Sequence, residues 1–325
     1  MTGASPKERA LTSSTEPTCD ETIAVVVVTY HSEPLLPELI ASLEPGLDGL
    51  RWHLTVADND STDGTVGTVR RLAPDATIVE TGGNRGYAAG INAAVAAARP
   101  HTAVLVLNPD VRLQPGCARH LLQALHLPGT GIAVPRLVDG DGRLLRSLRR
   151  EPSIARILGD ALLGARRVGR FAPLGEVVTN PGRYAAPGVT DWAEGAALLI
   201  SADCWRACGP WDESYFLYSE ETDFSLRARD AGFATRFTPA AQAVHLGGES
   251  RRSSALWSLL ALNRVRLYRR RHGSLPTAAF WAVLLLRELS RAAIGRRTSR
   301  AAARALLSPT RLREVPGPHT LQALG

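Results

Sequence analysis

The chain has 325 residues, 45% hydrophobic and 21% charged, with a net charge of +7. These values exclude a disordered chain and predict one large globular domain, or a domain with appendages. Four cysteines at this length exclude a disulfide-built fold. Cys204 and Cys208 lack a second Cys/His pair at zinc-finger spacing, so the thiols read as reduced and cytosolic.

Residues 1–20 are rich in Ser, Thr, Pro and Glu and read as a disordered lead-in with no apolar core for a secretory signal. Thr22–Tyr30 (TIAVVVVTY) is an unbroken β-branched run, the pattern of a parallel strand buried on both faces. Pro34 and Pro37 open a helix to about Leu43. A second strand, Trp52–Ala57, ends at the acidic turn Asp58–Gly64, and helix Thr65–Leu72 and strand Ala76–Glu80 follow. The turn Gly82–Gly86 leads into an Ala-rich helix, Tyr87–Ala98, and strand Ala103–Leu107 runs into Asn108-Pro109-Asp110. This alternation predicts a doubly wound α/β half, whose ligands lie beyond the carboxyl ends of the strands. The polar turns Thr29–Ser32, Asp58–Asp63 and Asn108–Asp110 all fall there.

Residues 140–190 are irregular and crowded with arginines. Ala196–Ile200 reads as a strand. Ser219 is placed to cap a helix running to about Ala231, stopped by Gly232. A short strand, Ala234–Thr238, precedes Val244-His245-Leu246. There is no internal repeat. From residue 251 onward, 15 arginines face only Glu288 and Glu314, a net +13 against −6 for the rest of the chain. Ala278–Leu286 is apolar over nine residues, and a bilayer crossing needs about twenty. Trp257, Leu260, Val265, Leu267 and Tyr268 interleave with Arg264, Arg266, Arg269, Arg270 and Arg271, a pattern that fits a helix lying on an anionic membrane surface, where Trp257, Tyr268, Phe280 and Trp281 would be buried. The alternative is a helix packed on the body with solvated arginines. Nucleic acid is not an expected partner, because the body is acidic and no nucleic-acid module is present.

Neither GxxxxGK[ST] nor GxGxxG follows the first strand, so nucleoside triphosphatase and dinucleotide-binding readings lose their support. Taken singly, the remaining signals are ambiguous. Asp58–Gly64 could bind a nucleoside or simply cap the next helix. Asp110 could hold a metal or end a turn. Glu220, Glu221 and Asp223 could do acid–base chemistry or only favour a helix N-terminus. His245 could be a metal ligand or a satisfied, partly buried histidine.

Together these blocks resemble, in order, the inverting glycosyltransferases of family 2. The matching residues are Val28-Thr29-Tyr30, Ala57-Asp58-Asn59-Asp60-Ser61-Thr62-Asp63-Gly64, Gly83-Asn84-Arg85-Gly86-Tyr87, Leu107-Asn108-Pro109-Asp110, Glu194-Gly195-Ala196, Gly209-Pro210-Trp211-Asp212, Glu220-Glu221-Thr222-Asp223 and His245. The resemblance spans about residues 22–250 and is strongest to bacterial L-rhamnosyltransferases of cell-envelope polysaccharide. Two departures accompany it. Glu221 stands where that subgroup usually has Asp, which lengthens the reach by one methylene. Glu194 stands where a small polar residue is usual.

The resemblance implies a GT-A fold: a Rossmann-like, mostly parallel sheet flanked by helices over residues 21–250, with a basic helical extension from 251 to 325. It implies that Thr29, Tyr30, Glu33, Asp58, Asn59, Asn84, Gly86, Tyr87, Asn108 and Asp110 bind the nucleotide-sugar donor. Asp110 and His245 would hold Mg²⁺ or Mn²⁺. Glu221, with Glu220 beside it, would serve catalysis as general base, and Trp192, Glu194, Gly195 and Asp223 would meet the acceptor. One base and no carboxylate nucleophile imply a single displacement with inversion. The implied substrates are dTDP-L-rhamnose and a lipid-linked saccharide at the inner membrane face. Another hexose donor (galactofuranose or GlcNAc) or a non-catalytic nucleotide-sugar-binding protein are the alternatives.

Overall fold

The computed structural model describes residues 21–247 and 253–324; the expected disordered lead-in, residues 1–20, lies outside them. The first half alternates β1 (Thr22–Thr29), α1 (Leu36–Gly46), β2 (Arg51–Asp58), α2 (Thr65–Leu72), β3 (Thr77–Glu80), α3 (Tyr87–Ala97) and β4 (Ala103–Leu107). β1 pairs in parallel with β2 and β4, and β2 pairs in parallel with β3. The β-branched run forms a central strand because both of its faces are covered. Ala24–Val27 have no exposed surface.

The second half holds β5 (Val111–Leu113), α4 (Cys117–Leu125), β6 (Thr130–Val138), β7 (Leu148–Arg149), α5 (Ile154–Leu163), α6 (Ala165–Val168), β8 (Gly188–Thr190), β9 (Trp192–Ala193), β10 (Ala197–Ser201), α7 (Ala202–Cys208), α8 (Glu220–Asp230) and β11 (Ala234–His245). The main sheet runs β3-β2-β1-β4-β10-β6-β11-β5, with β8 added on β11, and β7 pairs with β9 in a separate ribbon. β10 is antiparallel to both neighbours, whereas β11 is parallel to β6. One apolar core fills the face under α1 and α4, and a second fills the opposite face under α3 and α8.

Two local expectations are corrected. The strand expected to end at Thr238 continues to His245. A register shift between Thr238 and Gln242 accommodates Pro239, which has no N–H for the ladder. The continuation sets His245 opposite Val111, next to Asp110. Ser219 does occupy the N-cap position of α8, but at φ +77° and with no side-chain cap hydrogen bond.

The basic extension folds as α9 (Ser254–Arg271), α10 (Ser274–Ala293), α11 (Arg297–Leu306), α12 (Pro309–Arg313) and α13 (Pro318–Leu324). Its helices share a third core that also takes in Ile157 of α5. The aromatic residues expected to enter a membrane are turned into this core instead. Tyr268 stacks on Phe280 at 4.1 Å, Trp281 donates to the Leu306 carbonyl at 2.9 Å and Trp257 donates to Glu288 at 3.0 Å. Several arginines dock on body carboxylates: Arg264 on Glu176, Arg270 on Asp212, Arg271 on Glu151 and Asp230, and Arg287 and Arg291 on Asp160. Opposite charges on body and tail thus meet each other. Among the described residues, no helix is long and apolar enough to cross a membrane.

Candidate active site

The predicted site residues gather at the carboxyl ends of β1, β2 and β4, at the start of α8 and at the end of β11. Beyond β1, the Thr29 hydroxyl donates to Asp58 Oδ1 at 2.7 Å, and Ser61 donates to the same carboxylate through its N–H at 2.8 Å and its hydroxyl at 2.6 Å. Asp58 is buried, and its hydrogen bonds serve the framework of the turn. Asn59, also buried, donates to the Gly86 carbonyl at 2.9 Å and ties the second loop to the third. The Glu33 carboxylate accepts from the Gly64 N–H at 2.9 Å. What this rim offers to a ligand is Tyr30, half exposed beside His31, together with the exposed carboxylate of Asp60.

The third loop is built for close approach. Asn84 Oδ1 accepts from the Gly86 N–H at 3.2 Å, and Gly86 has φ +90°. A Cβ there would collide with the Phe216 carbonyl, so only glycine fits. The next N–H, of Tyr87, donates to that carbonyl at 2.7 Å. The Tyr87 hydroxyl donates to Asn108 Oδ1 at 2.6 Å. Its pKa is pushed up by burial and then by Glu220, Asp110 and Glu221, which surround it. Tyr87 therefore stands at the centre of the predicted catalytic and metal-binding groups.

Asp110 Oδ2 lies 3.3 Å from His245 Nε2 and accepts from the Gly247 N–H at 2.9 Å. Burial would raise the Asp110 pKa, but His245 and the N–H outweigh it, and the carboxyl is held below its usual range. Burial would lower His245, but Asp110 outweighs that and raises it. Two neighbouring ligands of one small divalent cation, each at about 2.1 Å, stand roughly 3 Å apart, so this pair fits such a cation. No third protein ligand joins them among the described residues. That suits a Mg²⁺-like ion, which is held by one or two protein groups and completes its shell with substrate phosphate and water.

Glu220 and Glu221 open α8. Glu220 is 2% exposed, and its Oε2 is buried with no protein hydrogen-bond partner. Burial, then the charge of Glu221, pushes its pKa up to about 8. Glu221 is only partly buried, and burial, then Glu194, pushes it up to about 7. The more accessible, less shifted carboxylate is suited to take a proton near neutral pH. Gly195 packs against the Glu221 side chain, and a Cβ there would stand 3.2 Å from Glu221 Cβ. Glu194 pairs with Arg149, which also lies over the Trp192 ring. Trp192 is buried and donates to the Arg150 carbonyl at 3.0 Å. Asp223 is turned to Arg227 at 2.8 Å, an ion pair that anchors α8 to the Cys208–Pro210 carbonyls.

Sequence reasoning misses two residues here. Arg149 is one arginine among many in an irregular stretch. Asn263, on α9, has no exposed surface and donates to the carbonyls of Tyr215, Leu217 and Tyr218 at 2.8, 2.9 and 3.1 Å. It clamps a segment in which Phe216, Tyr218 and Ser219 all have positive φ, just before the two glutamates. Its one signal in the sequence is an amide inside an otherwise apolar and basic helical run.

A family model, Glycosyl transferase family 2, matches residues 24–172. The N-acetylglucosaminyl-diphospho-decaprenol L-rhamnosyltransferase of Mycobacterium tuberculosis is 31% identical over 246 residues, covering 69% of this chain and 76% of that one. Among solved structures, the mannosyltransferase PcManGT from Pyrobaculum calidifontis, in complex with GDP-Man and Mn²⁺, superposes with a TM-score of 0.54 at 19% identity. It covers 93% of this chain and 84% of its own. S. aureus TarS 1–349 in complex with UDP-GlcNAc superposes with a TM-score of 0.54 at 15% identity, covering 93% and 83%. The fold is that of the GT-A transferases.

Proposed function

The chain belongs to glycosyltransferase family 2, and from that premise we propose that it moves L-rhamnose from dTDP-L-rhamnose to a hydroxyl of a lipid-linked saccharide. The observation that carries this reading is the M. tuberculosis relative, an L-rhamnosyltransferase whose name gives a diphospho-decaprenol acceptor, matched over 76% of its length. The resemblance to cell-envelope rhamnosyltransferases points the same way.

In this reading the nucleoside lies over the rim of β1 and β2, with Tyr30 against the base and Asp60 facing the ribose. Asp110 and His245 would hold a divalent cation, whose contribution when bound would be to offset charge on the departing diphosphate. Tyr87 and Asn108, hydrogen-bonded to each other, position the donor sugar between that pair and α8. Glu221 accepts the proton of the acceptor hydroxyl. The oxygen attacks the anomeric carbon from the face opposite the diphosphate, the sugar–diphosphate bond breaks, and its electron pair leaves with the phosphate. Configuration at that carbon inverts. Glu220 stays protonated and keeps a second negative charge out of the site.

The deciding experiment is a screen of nucleotide sugars against a polyprenyl-diphosphate-linked GlcNAc acceptor, with product linkage read by NMR. Rhamnosyl transfer with inversion, lost on addition of EDTA, supports the reading. Transfer of a different sugar from the panel, or transfer with retention, overturns it.

A further inference from the structure

A cavity of about 560 Å³ opens between α5–α6 and α10–α11, and none of its lining residues belongs to the active site. Arg166, Arg167, Arg287, Arg291 and Arg296 line it, and no carboxylate does. The nearby acids stand behind the wall. Asp160 accepts from Arg287 Nε at 2.7 Å and from Arg291 at 3.0 Å, and fully buried Glu288 also pairs with Arg287. Those contacts fix two guanidinium groups from the rear. Arg166, Arg167 and Arg296 are exposed and make no ion pair among the described residues.

The N-terminus of α11 adds further donors. Its N-cap, Arg296, makes no side-chain cap, and the first intrahelical bond runs from Arg300 N to the Arg296 carbonyl. The N–H groups of Arg297, Thr298 and Ser299 therefore have no intrahelical acceptor, and Thr298 and Ser299 line the cavity. Guanidinium groups, hydroxyls and unused helix N–H groups are what a phosphate group takes. Beside the cavity the surface is apolar: Leu162, Leu163 and Ile294 are 69%, 54% and 74% exposed.

We propose that this cavity binds the headgroup phosphate of an anionic phospholipid, while Leu162, Leu163 and Ile294 enter the acyl boundary. A soluble phosphate would use the arginines but gain nothing from apolar side chains beside them. A bilayer lipid uses both. Membrane contact thus belongs to the α5–α6 and α10–α11 face, not to the inward-turned aromatics of the tail. The inference rests on the membrane-borne acceptor of the proposed function only in placing the protein at a bilayer. Its test reads vesicle binding, so it can fail while transfer stands, and the reverse.

The experiment is co-sedimentation of the full chain with phosphatidylcholine vesicles carrying 30% phosphatidylglycerol, beside pure phosphatidylcholine. The triple variant Arg166→Ala, Arg167→Ala, Arg296→Ala is compared with Arg51→Ala, Arg70→Ala, Arg206→Ala. The second set has the same charge change on exposed body positions, and thermal melts check that both are folded. Each arginine near an anionic surface contributes about fivefold, so the cavity triple should bind anionic vesicles about one to two orders of magnitude more weakly. The body triple should bind nearly as the parent does. Equal binding by the two triples overturns the cavity assignment. Equal binding of the parent to neutral vesicles overturns the phosphate assignment. If inorganic diphosphate raises the melting temperature of the parent but not of the cavity triple, and no vesicle is bound, the ligand is a soluble phosphate and the lipid assignment falls.

Discussion

Adjacent glutamates at the start of one helix differ in what they can do because they differ in burial. Both pKa values are raised, but Glu221 has the smaller rise and the more accessible carboxyl. A base works only when deprotonated. With Glu221 pushed up to about 7, turnover should climb as pH rises through neutrality and level off above it. Glu221→Gln should lower kcat by about two to four orders of magnitude, with donor affinity in calorimetry nearly unchanged. Glu220→Gln imitates a neutral acid and should keep most of the turnover; if it is inactive while Glu221→Gln works, the roles are exchanged. At the proposed metal pair, Asp110→Ala should weaken binding of the intact nucleotide sugar and remove its dependence on Mg²⁺ or Mn²⁺. The free nucleoside should bind as before, and an equal loss of both would make Asp110 a fold residue. The sequence tells less at the first two loops. Asp58 and Asn59 have ligand-binding chemistry, and only the structure shows their hydrogen bonds turned to Thr29, Ser61 and Gly86.

Elements that are buried on both faces or strictly periodic are legible in the residue pattern itself. Ala103–Leu107 and Thr65–Leu72 fall where their patterns put them. β11 is longer than its pattern suggests because Pro239 reads as a strand end, whereas a bulge carries the chain past it to His245. Ser219 has the chemistry of a cap but not the conformation, because tertiary contacts fix the segment before it. Those contacts come from α9, some 45 residues further along the chain, beyond any local pattern. They also make a prediction. Asn263→Ala removes an amide whose two N–H groups are shared among three carbonyls of a segment with three non-glycine residues at positive φ. Each lost bond costs about 1 kcal/mol, and residues held at positive φ persist only where their surroundings impose it. The variant should show faster amide exchange at 215–221 and a kcat lowered at least tenfold, with KM for the donor little changed. Unchanged exchange in that segment would show that the loop holds its own shape.

Body and tail carry opposite charge, and the structure shows the consequence: one folded unit, with the tail docked through arginines on body carboxylates and Ile157 of α5 in the tail's core. The sequence displays the charge asymmetry plainly. It does not show which surface answers it, since the same arginines suit a membrane. A chain ending at Arg252 should therefore fail to fold stably, because Ile157 and the α5 face lose their cover and Asp160 loses Arg287 and Arg291. Recovery of a soluble, cooperatively melting protein from that truncation would show the tail to be an accessory. A gentler test leaves the tail in place. Asp160→Asn removes the carboxylate from a buried pair, and among the described residues Arg287 keeps Glu288 as its ion-pair partner, with the Trp257 ring beside it. The expected cost is about 3 kcal/mol, the low end for such a pair because one partner remains. The pH dependence has a definite sign. Burial would raise the Asp160 pKa, but Arg287, Arg291 and Arg264 outweigh it, and the net direction is down from 3.8. Its contribution is therefore fully present above about pH 4 and is lost as pH falls through the depressed value. Urea melts of the parent should lose stability on acidification below that point, and melts of Asp160→Asn should lose measurably less. Parallel losses in the two proteins would place the acid-sensitive contact elsewhere, with Glu151 between Arg229 and Arg271 the next to test.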